Sequence, residues 1–189
     1  MTLTRLSMRR AGFTFFEIMT VMAVIGIMVA IAYPRLRQNQ TQAVQSAAVQ
    51  MTRDLEAVRT RALGARRLIR VVFDTTNARY YWAADINGDS LFNATDSAGA
   101  APGMVGGRNL GSGVVFGRGG MPDLPLFPGA GNVSLDSAVI TFDDRGLTFP
   151  ARKQGAVYLT SSSGAVAAAV SVSGAGSFRA WAVSAGVWR

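Results

Sequence analysis

The sequence predicts an α+β protein. A long N-terminal α-helix, transmembrane and then amphipathic, packs on a C-terminal antiparallel β-sheet domain. Three observations predict this. Residues 13–33 are 21 positions with one charge, Glu17. Residues 34–66 repeat apolar side chains at intervals of three and four. From residue 67 onward, short β-branched and aromatic runs alternate with turn residues.

The first segment is long enough to cross a bilayer. At 1.5 Å per residue, Phe13 to Tyr33 extends roughly 30 Å as a helix, the thickness of a hydrocarbon core. A carboxylate inside such a segment costs about 2.5–3.5 kcal/mol at the membrane centre and less near the interface. Glu17 therefore calls for a partner charge, or else for snorkelling to the interface. Beyond Pro34, which can bend a helix without ending it, the chain reads as helix to about Ala65. Val44, Ala47, Ala48, Met51, Leu55, Val58 and Ala62 form one apolar stripe, and Gln, Arg and Asp fill the other face.

The head, residues 67–189, reads as strands. Leu68–Phe73 and Arg79–Ala83 flank the turn Asp74-Thr75-Thr76-Asn77, which predicts a hairpin. A glycine-rich polar stretch covers about 85–133, with one short strand expected at Val114–Phe116. Its part from 97 to 131 reads as a long surface loop suited to contacting a partner. Strands are expected again at Ala138–Phe142, Ala156–Thr160, Ala165–Val172 and Phe178–Val183. Asp144-Arg145-Gly146 and Ser163-Gly164 supply turns between them.

The N-terminal motif is specific. Gly12-Phe13-Thr14-Phe15-Phe16-Glu17 followed by an unbroken apolar helix resembles the leader of type IV pilins and type II secretion pseudopilins. The resemblance implies that residues 1–12 are a leader removed by a prepilin peptidase, which cuts between Gly12 and Phe13. It implies N-methylation of the new N-terminal Phe13 and makes Glu17 the fifth residue of the processed chain. Gly26 and Pro34 also sit where many pilins carry a helix-loosening glycine and proline. The new amine of an incoming subunit must enter an apolar bundle, and a neighbour's Glu17 would neutralise it there. Glu17 is thus the expected assembly residue. Two competing signals lie in the same segment. Ala30-Ile31-Ala32 would let an ordinary signal peptidase cut before Tyr33, and Arg9-Arg10 resembles a twin-arginine signal. Glu17 interrupts the apolar core that either would need.

The C-terminal half resembles the GspH/FimT-type minor pilins and pseudopilins more loosely. The residues that carry this are Ile140-Thr141-Phe142-Asp143-Asp144-Arg145-Gly146, Val157-Tyr158-Leu159 and a final hairpin ending in Trp188-Arg189.

Composition narrows the chemistry. The formal net charge is +8, falling to about +5 without Arg5, Arg9 and Arg10. These leader arginines outnumber Arg35 and Arg37 beyond the helix, which favours a cytoplasmic N-terminus and an exported head. The chain has no Cys and no His. A thiol nucleophile, a Ser-His-Asp triad and the usual zinc ligands are therefore excluded. The eleven acids form no evident catalytic pair, no phosphate-binding P-loop occurs, and the chain is not expected to be an enzyme. No cofactor is required, with calcium as the exception to weigh.

Asp85, Asn87, Asp89, Asn93 and Asp96 stand at positions 1, 3, 5, 9 and 12 of a twelve-residue loop, with the Leu91 carbonyl at position 7. This is the oxygen spacing of a calcium loop. Ser90 replaces the expected turn glycine, and Asp96 replaces a longer glutamate. The competing reading is a surface loop whose side chains cap its own turns.

The FimT resemblance also raises DNA. Such pilins capture it through a basic C-terminal G-R-x-R motif, and here Gly176-Ser177-Phe178-Arg179 lacks the first arginine. Arg179, Arg189, Arg152 and Lys153 could still form a patch, with Trp181 or Trp188 stacking on bases.

The expected function is that of a minor pilin or pseudopilin in the inner membrane, with a single pass and a periplasmic head. Its implied partners are other pilin subunits, the prepilin peptidase and methyltransferase, the membrane and an inner-membrane assembly platform. The leading reading is a type II secretion pseudopilus subunit acting in filament initiation or protein secretion. The alternative is a type IV pilus subunit that binds DNA or a surface.

Overall fold

In the computed structural model the described residues are 14–92, 96, 105–127, 129, 131–150, 153–184 and 186–189, with the side chains of 33–39, 105 and 136 outside the description. Gly12, Phe13, Asn93 and Arg152, named above, therefore lie beyond it. Contacts divide the chain into two units, Met1–Gln38 and Asn39–Arg189.

Helix α1, Phe15–Ala65, is the one long helix among the described residues. Its first eighteen residues, Phe15–Ala32, have a mean hydropathy of 2.4 and are long and apolar enough to cross a membrane. Every one of them is exposed within its own unit. That many uncovered Ile, Val, Met and Phe side chains are incompatible with water and require lipid or neighbouring helices.

In the second unit α1 buries the predicted stripe. Val44, Ala48, Met51, Leu55, Val58 and Ala62 are all at most 1% exposed, and Ala43 and Ala47 pack at its margin. The larger side chains contribute about 1.5–3 kcal/mol each by leaving water.

The strands form two five-stranded antiparallel sheets rather than a single one. The first contains β1 (Ile69–Asp74), β2 (Arg79–Ala84), β3 (Val105–Asn109), β5 (Val139–Phe142) and β6 (Thr148–Phe149), in the order β3-β2-β1-β5-β6. The second contains β4 (Val114–Phe116), β7 (Gly155–Ser161), β8 (Ala167–Val172), β9 (Phe178–Ser184) and β10 (Val187–Trp188), in the order β10-β9-β8-β7-β4. The inward residues of both sheets meet the α1 stripe in one core. Val71, Phe73 and Ile140 come from the first sheet and Val157, Leu159 and Val170 from the second. The other face of the second sheet is covered too. Ala156, Tyr158 and Ala169 pack beneath Met121, Leu124 and Phe127. Strands β7 and β8 are consequently buried at every position.

The predicted hairpin forms, pairing Asp74 with Arg79 and Ile69 with Ala84. The expectation of a long surface loop over 97–131 is corrected. Residues 105–109 form strand β3, paired with β2 from Arg79↔Asn109 to Ala83↔Val105. Leu110, Val114, Phe116 and Leu124 enter the core. Glycine hid this strand because its role there is to be small. A Cβ on Gly106 would lie 2.4 Å from the Trp82 ring, so the Trp82 indole lies over bare backbone.

Two turns meet on the far end of the helix. Arg59 Nε donates to the Gly146 carbonyl at 2.9 Å, and a Cβ on Gly176 would come within 2.3 Å of that same oxygen. The β5–β6 turn thus rests on the β8–β9 turn, with Arg59 beneath both.

Candidate functional site

The start of α1 is built by Thr14. Its hydroxyl oxygen accepts a hydrogen bond from the Glu17 amide at 3.2 Å, and its carbonyl accepts from the amides of Glu17 and Ile18. This is N-cap geometry with an acid three residues on, half of a capping box. Glu17 therefore stands in the first turn, where a carboxylate also meets the positive end of the helix dipole. Its side chain is exposed. The Thr-x-x-Glu spacing is a sequence-level signature of this cap.

The acidic loop is compact at its start. Asp85 is 2% exposed, and its two carboxylate oxygens accept from the amides of Gly88 at 2.7 Å and Ser90 at 2.9 Å. Asp96 is 3% exposed and accepts from the Ile86 amide at 3.0 Å, which brings the two ends of the loop together. Asn87 and Asp89 bond each other, and Asp89 also accepts from the Leu91 amide at 2.7 Å. Ser90 takes φ +63°, the left-handed conformation that the turn glycine of a calcium loop would supply. Much of the oxygen set is thus engaged with the loop's own amides, and among the described residues no three acidic side chains converge as a metal cluster.

The C-terminal strands carry the other candidates. The Arg179 guanidinium sits 4.1 Å from the centre of the Trp181 ring, and Trp181 Nε1 donates to Ser171 Oγ at 2.9 Å. Trp188 is buried to 9% exposure. It packs 5.9 Å from Tyr158 and donates from Nε1 to the Pro122 carbonyl at 3.0 Å. The expectation that Trp188 could stack on bases is therefore corrected, because its ring is a core group. Arg189 exchanges two 2.9 Å backbone bonds with Ala182. Paired residues share a face and neighbours alternate, so Arg189 follows Ala182 while Arg179 and Trp181 lie on the opposite face. The structure does not bring Arg179 and Arg189 into one patch.

Arg118 organises the segment above this face. It pairs with Asp123 and donates to the Gly129 carbonyl. It also reaches the Gly131 carbonyl at 2.8 Å and lies 4.6 Å from the Tyr158 ring centre. Between this segment and the final hairpin is an apolar groove of about 420 Å³, lined by Leu124, Leu126, Trp181, Val187 and Trp188.

Residues 7–33 match a family model described as the prokaryotic N-terminal methylation motif. The chain carries an N-terminal methylation motif of the kind type IV pilins have. The match spans the Gly12–Phe13 junction, Thr14, Glu17 and the apolar helix. No curated protein matches the chain. Among solved structures the chain is similar to the crystal structure of the Pseudomonas aeruginosa (strain PAO1) type IV minor pilin FimU. The TM-score is 0.47 at 15% identity, over 77% of this chain and 92% of that one.

A network around Asp54 joins the helix to the first sheet. Its Oδ2 accepts from Tyr80 Oη at 2.6 Å and from Arg108 Nε at 2.7 Å, and its Oδ1 accepts from Gln50 Nε2 at 2.9 Å. Burial pushes the Asp54 pKa upward. The hydrogen bonds from Tyr80, Arg108 and Gln50, with the charge of Arg108, outweigh that and hold it below its ordinary value. Burial, then the bond to Asp54, raises the Tyr80 pKa strongly. Asp54 lies on the polar side of the helical repeat, and its partners Tyr80 and Arg108 are 26 and 54 residues away. No local pattern announces them.

Proposed function

We propose that this chain is a minor pilin-like subunit with a structural rather than catalytic role. Its leader is removed between Gly12 and Phe13 by a prepilin peptidase, Phe13 is methylated, and Phe15–Ala32 holds the protein in the inner membrane until assembly. The observation that carries this reading is the methylation-motif match over 7–33, running into a helix in which every residue from Phe15 to Ala32 is exposed within its own unit. Glu17 then serves as the acid that receives the Phe13 amine of an adjacent subunit, in an apolar setting that strengthens the pairing. Mass measurement of the mature N-terminus in a host carrying the peptidase tests this. Methylated Phe13 is expected, whereas an N-terminus at Tyr33 would overturn it.

Within that reading we favour a type II secretion pseudopilus, in filament initiation or protein secretion, over DNA capture. The placement of Arg179 and Arg189 on opposite faces of the second sheet supports this choice, as does the burial of Trp188. DNA contacts need several cations tracking one backbone. Retention of the full-length chain on DNA, lost with rising salt and lost in Arg179→Ala, would reverse the preference.

Calcium at the 85–96 loop is a second proposal. Asp85, Asn87, Asp89, Leu91, Asn93 and Asp96 would hold the ion. The left-handed Ser90 supports it, since this serine already adopts the backbone that the loop requires.

A further inference from the structure

The Asn87-Gly88 step lies in the loop proposed for calcium and has a covalent chemistry separate from ion binding. Asparagine followed by glycine is the dipeptide most prone to spontaneous deamidation, because glycine places no side chain in the way of ring closure. Here both residues are exposed, and a Cβ on Gly88 would meet nothing within 4 Å, so water has free access. Gly88 also holds φ +75°. Yet the reacting atoms are restrained. The nucleophile is the Gly88 amide nitrogen, which donates to Asp85 Oδ1 at 2.7 Å. The electrophile is Asn87 Cγ. The oxygen of that amide accepts from the Asp89 amide at 3.2 Å, and its nitrogen donates to Asp89 Oδ2 at 2.9 Å.

We propose that Asn87 is a deamidation site whose rate is set by Asp85. In the reaction the Gly88 nitrogen forms a bond to Asn87 Cγ and loses its proton. The Cγ–Nδ2 bond breaks, and the departing nitrogen takes up a proton and leaves as ammonia. Water then opens the cyclic imide at either carbonyl, giving aspartate or isoaspartate at 87. The net change is one water consumed and one ammonia released, with no oxidant or reductant. Asp85 slows the first step in two ways. It must release the amide before attack, and its negative charge opposes the negative charge that develops on that nitrogen. Asp85 touches the Gly88 nitrogen directly, at 2.7 Å, so no water lies between the two. The product has a consequence for the loop. An aspartate at 87 removes the donor now facing Asp89 and sets two carboxylates against each other.

The test follows the conversion by peptide mapping of the full-length protein in detergent at mildly alkaline pH, beside a free peptide of residues 83–92. The folded chain is expected to convert about tenfold or more slowly than the peptide, the factor that 1.4 kcal/mol of barrier supplies. Asp85→Asn removes the charge and should bring the rate most of the way to that of the peptide. Asp89→Ala removes the acceptor of the Asn87 side-chain nitrogen but leaves the Asp85–Gly88 contact, and should stay within a few-fold of the wild-type rate. Equal rates in chain and peptide would overturn the proposal, even if Asp85→Asn loosens the loop. So would an Asp89→Ala rate as fast as that of Asp85→Asn, since the protection would then be general ordering rather than Asp85.

Discussion

The Tyr80 hydroxyl donates a 2.6 Å hydrogen bond to Asp54 Oδ2, joining strand β2 to helix α1. Tyr80 is 2% exposed, and Arg108 from the edge strand β3 reaches the same oxygen. Three elements far apart in sequence therefore converge on one carboxylate. Removing that carboxylate leaves the buried Tyr80 hydroxyl without an acceptor and releases Arg108 and Gln50, whereas removing the phenol oxygen leaves Arg108 and Gln50 in place. Asp54→Ala should destabilise the folded head by about 2–3 kcal/mol and Tyr80→Phe by about 1–1.5 kcal/mol. Urea unfolding of the two variants checks the order, and equal losses would contradict it.

The same network sets a pH dependence. The folded pKa of Asp54 lies below its ordinary 3.8, so its stabilisation is present above that value and is lost as pH falls through the folded pKa. Asp74 behaves alike. The side chain and backbone amide of Asn77 and the side chain of Arg79 hold it at about 2. Tyr80 runs the other way. Its pKa is raised above the ordinary 10.0, so its contribution is full below 10 and disappears at more alkaline pH. Urea midpoints of wild type and Asp54→Asn, measured from neutral to acid pH, should converge below about pH 4. A constant gap would show that ionised Asp54 is not what the network stabilises.

Gly176→Ala tests the contact between turns. Gly176 holds φ +72°, and the new methyl would meet the Gly146 carbonyl and the Arg59 side chain. The left-handed backbone alone costs about 1–2 kcal/mol for a side-chain-bearing residue, and the overlap adds to it. A loss of about 2–4 kcal/mol is expected. Gly164→Ala shares the positive φ but opens on free space, and should lose only the first part. Thermal melts of the pair separate the two contributions.

Glu17 tests the assembly chemistry. Glu17→Gln removes the charge while keeping the helix, so the variant should enter the membrane and be cleaved as wild type is. Incorporation into filaments should fall about tenfold or more, equivalent to 1.4 kcal/mol or more of lost pairing. Quantifying the chain in sheared filaments against the membrane pool reads this directly. Unchanged incorporation would remove Glu17 from the assembly step.

Calcium is tested by melting the full-length protein in calcium and in chelator. An ion held at a hundredfold excess over its dissociation constant adds about 2.7 kcal/mol, or about 5–10 °C in a chain of this size. Asp85→Ala should abolish any such difference. Identical melting temperatures in wild type would dismiss the ion.

By itself the sequence determined whatever depends on neighbours along the chain. The apolar span, the stripe from Val44 to Ala62, the 74–79 hairpin and the Gly12-to-Glu17 motif are set by short-range periodicity, and they were legible for that reason. Strand β3 was not, because Gly106 and Gly107 carry no strand propensity, and their smallness serves the Trp82 ring over Gly106 and the close approach of Tyr81 to Gly107. Only the tertiary structure divided the strands into two sheets, since the β1–β5 pairing joins residues some seventy positions apart. It alone placed Arg179 and Arg189 on opposite faces, which follows from the hairpin register rather than from either residue. It alone gave Asp54 its Tyr80 and Arg108 partners, because a partly buried carboxylate is stabilised by whatever donors the fold delivers, and these two come from strands remote in sequence.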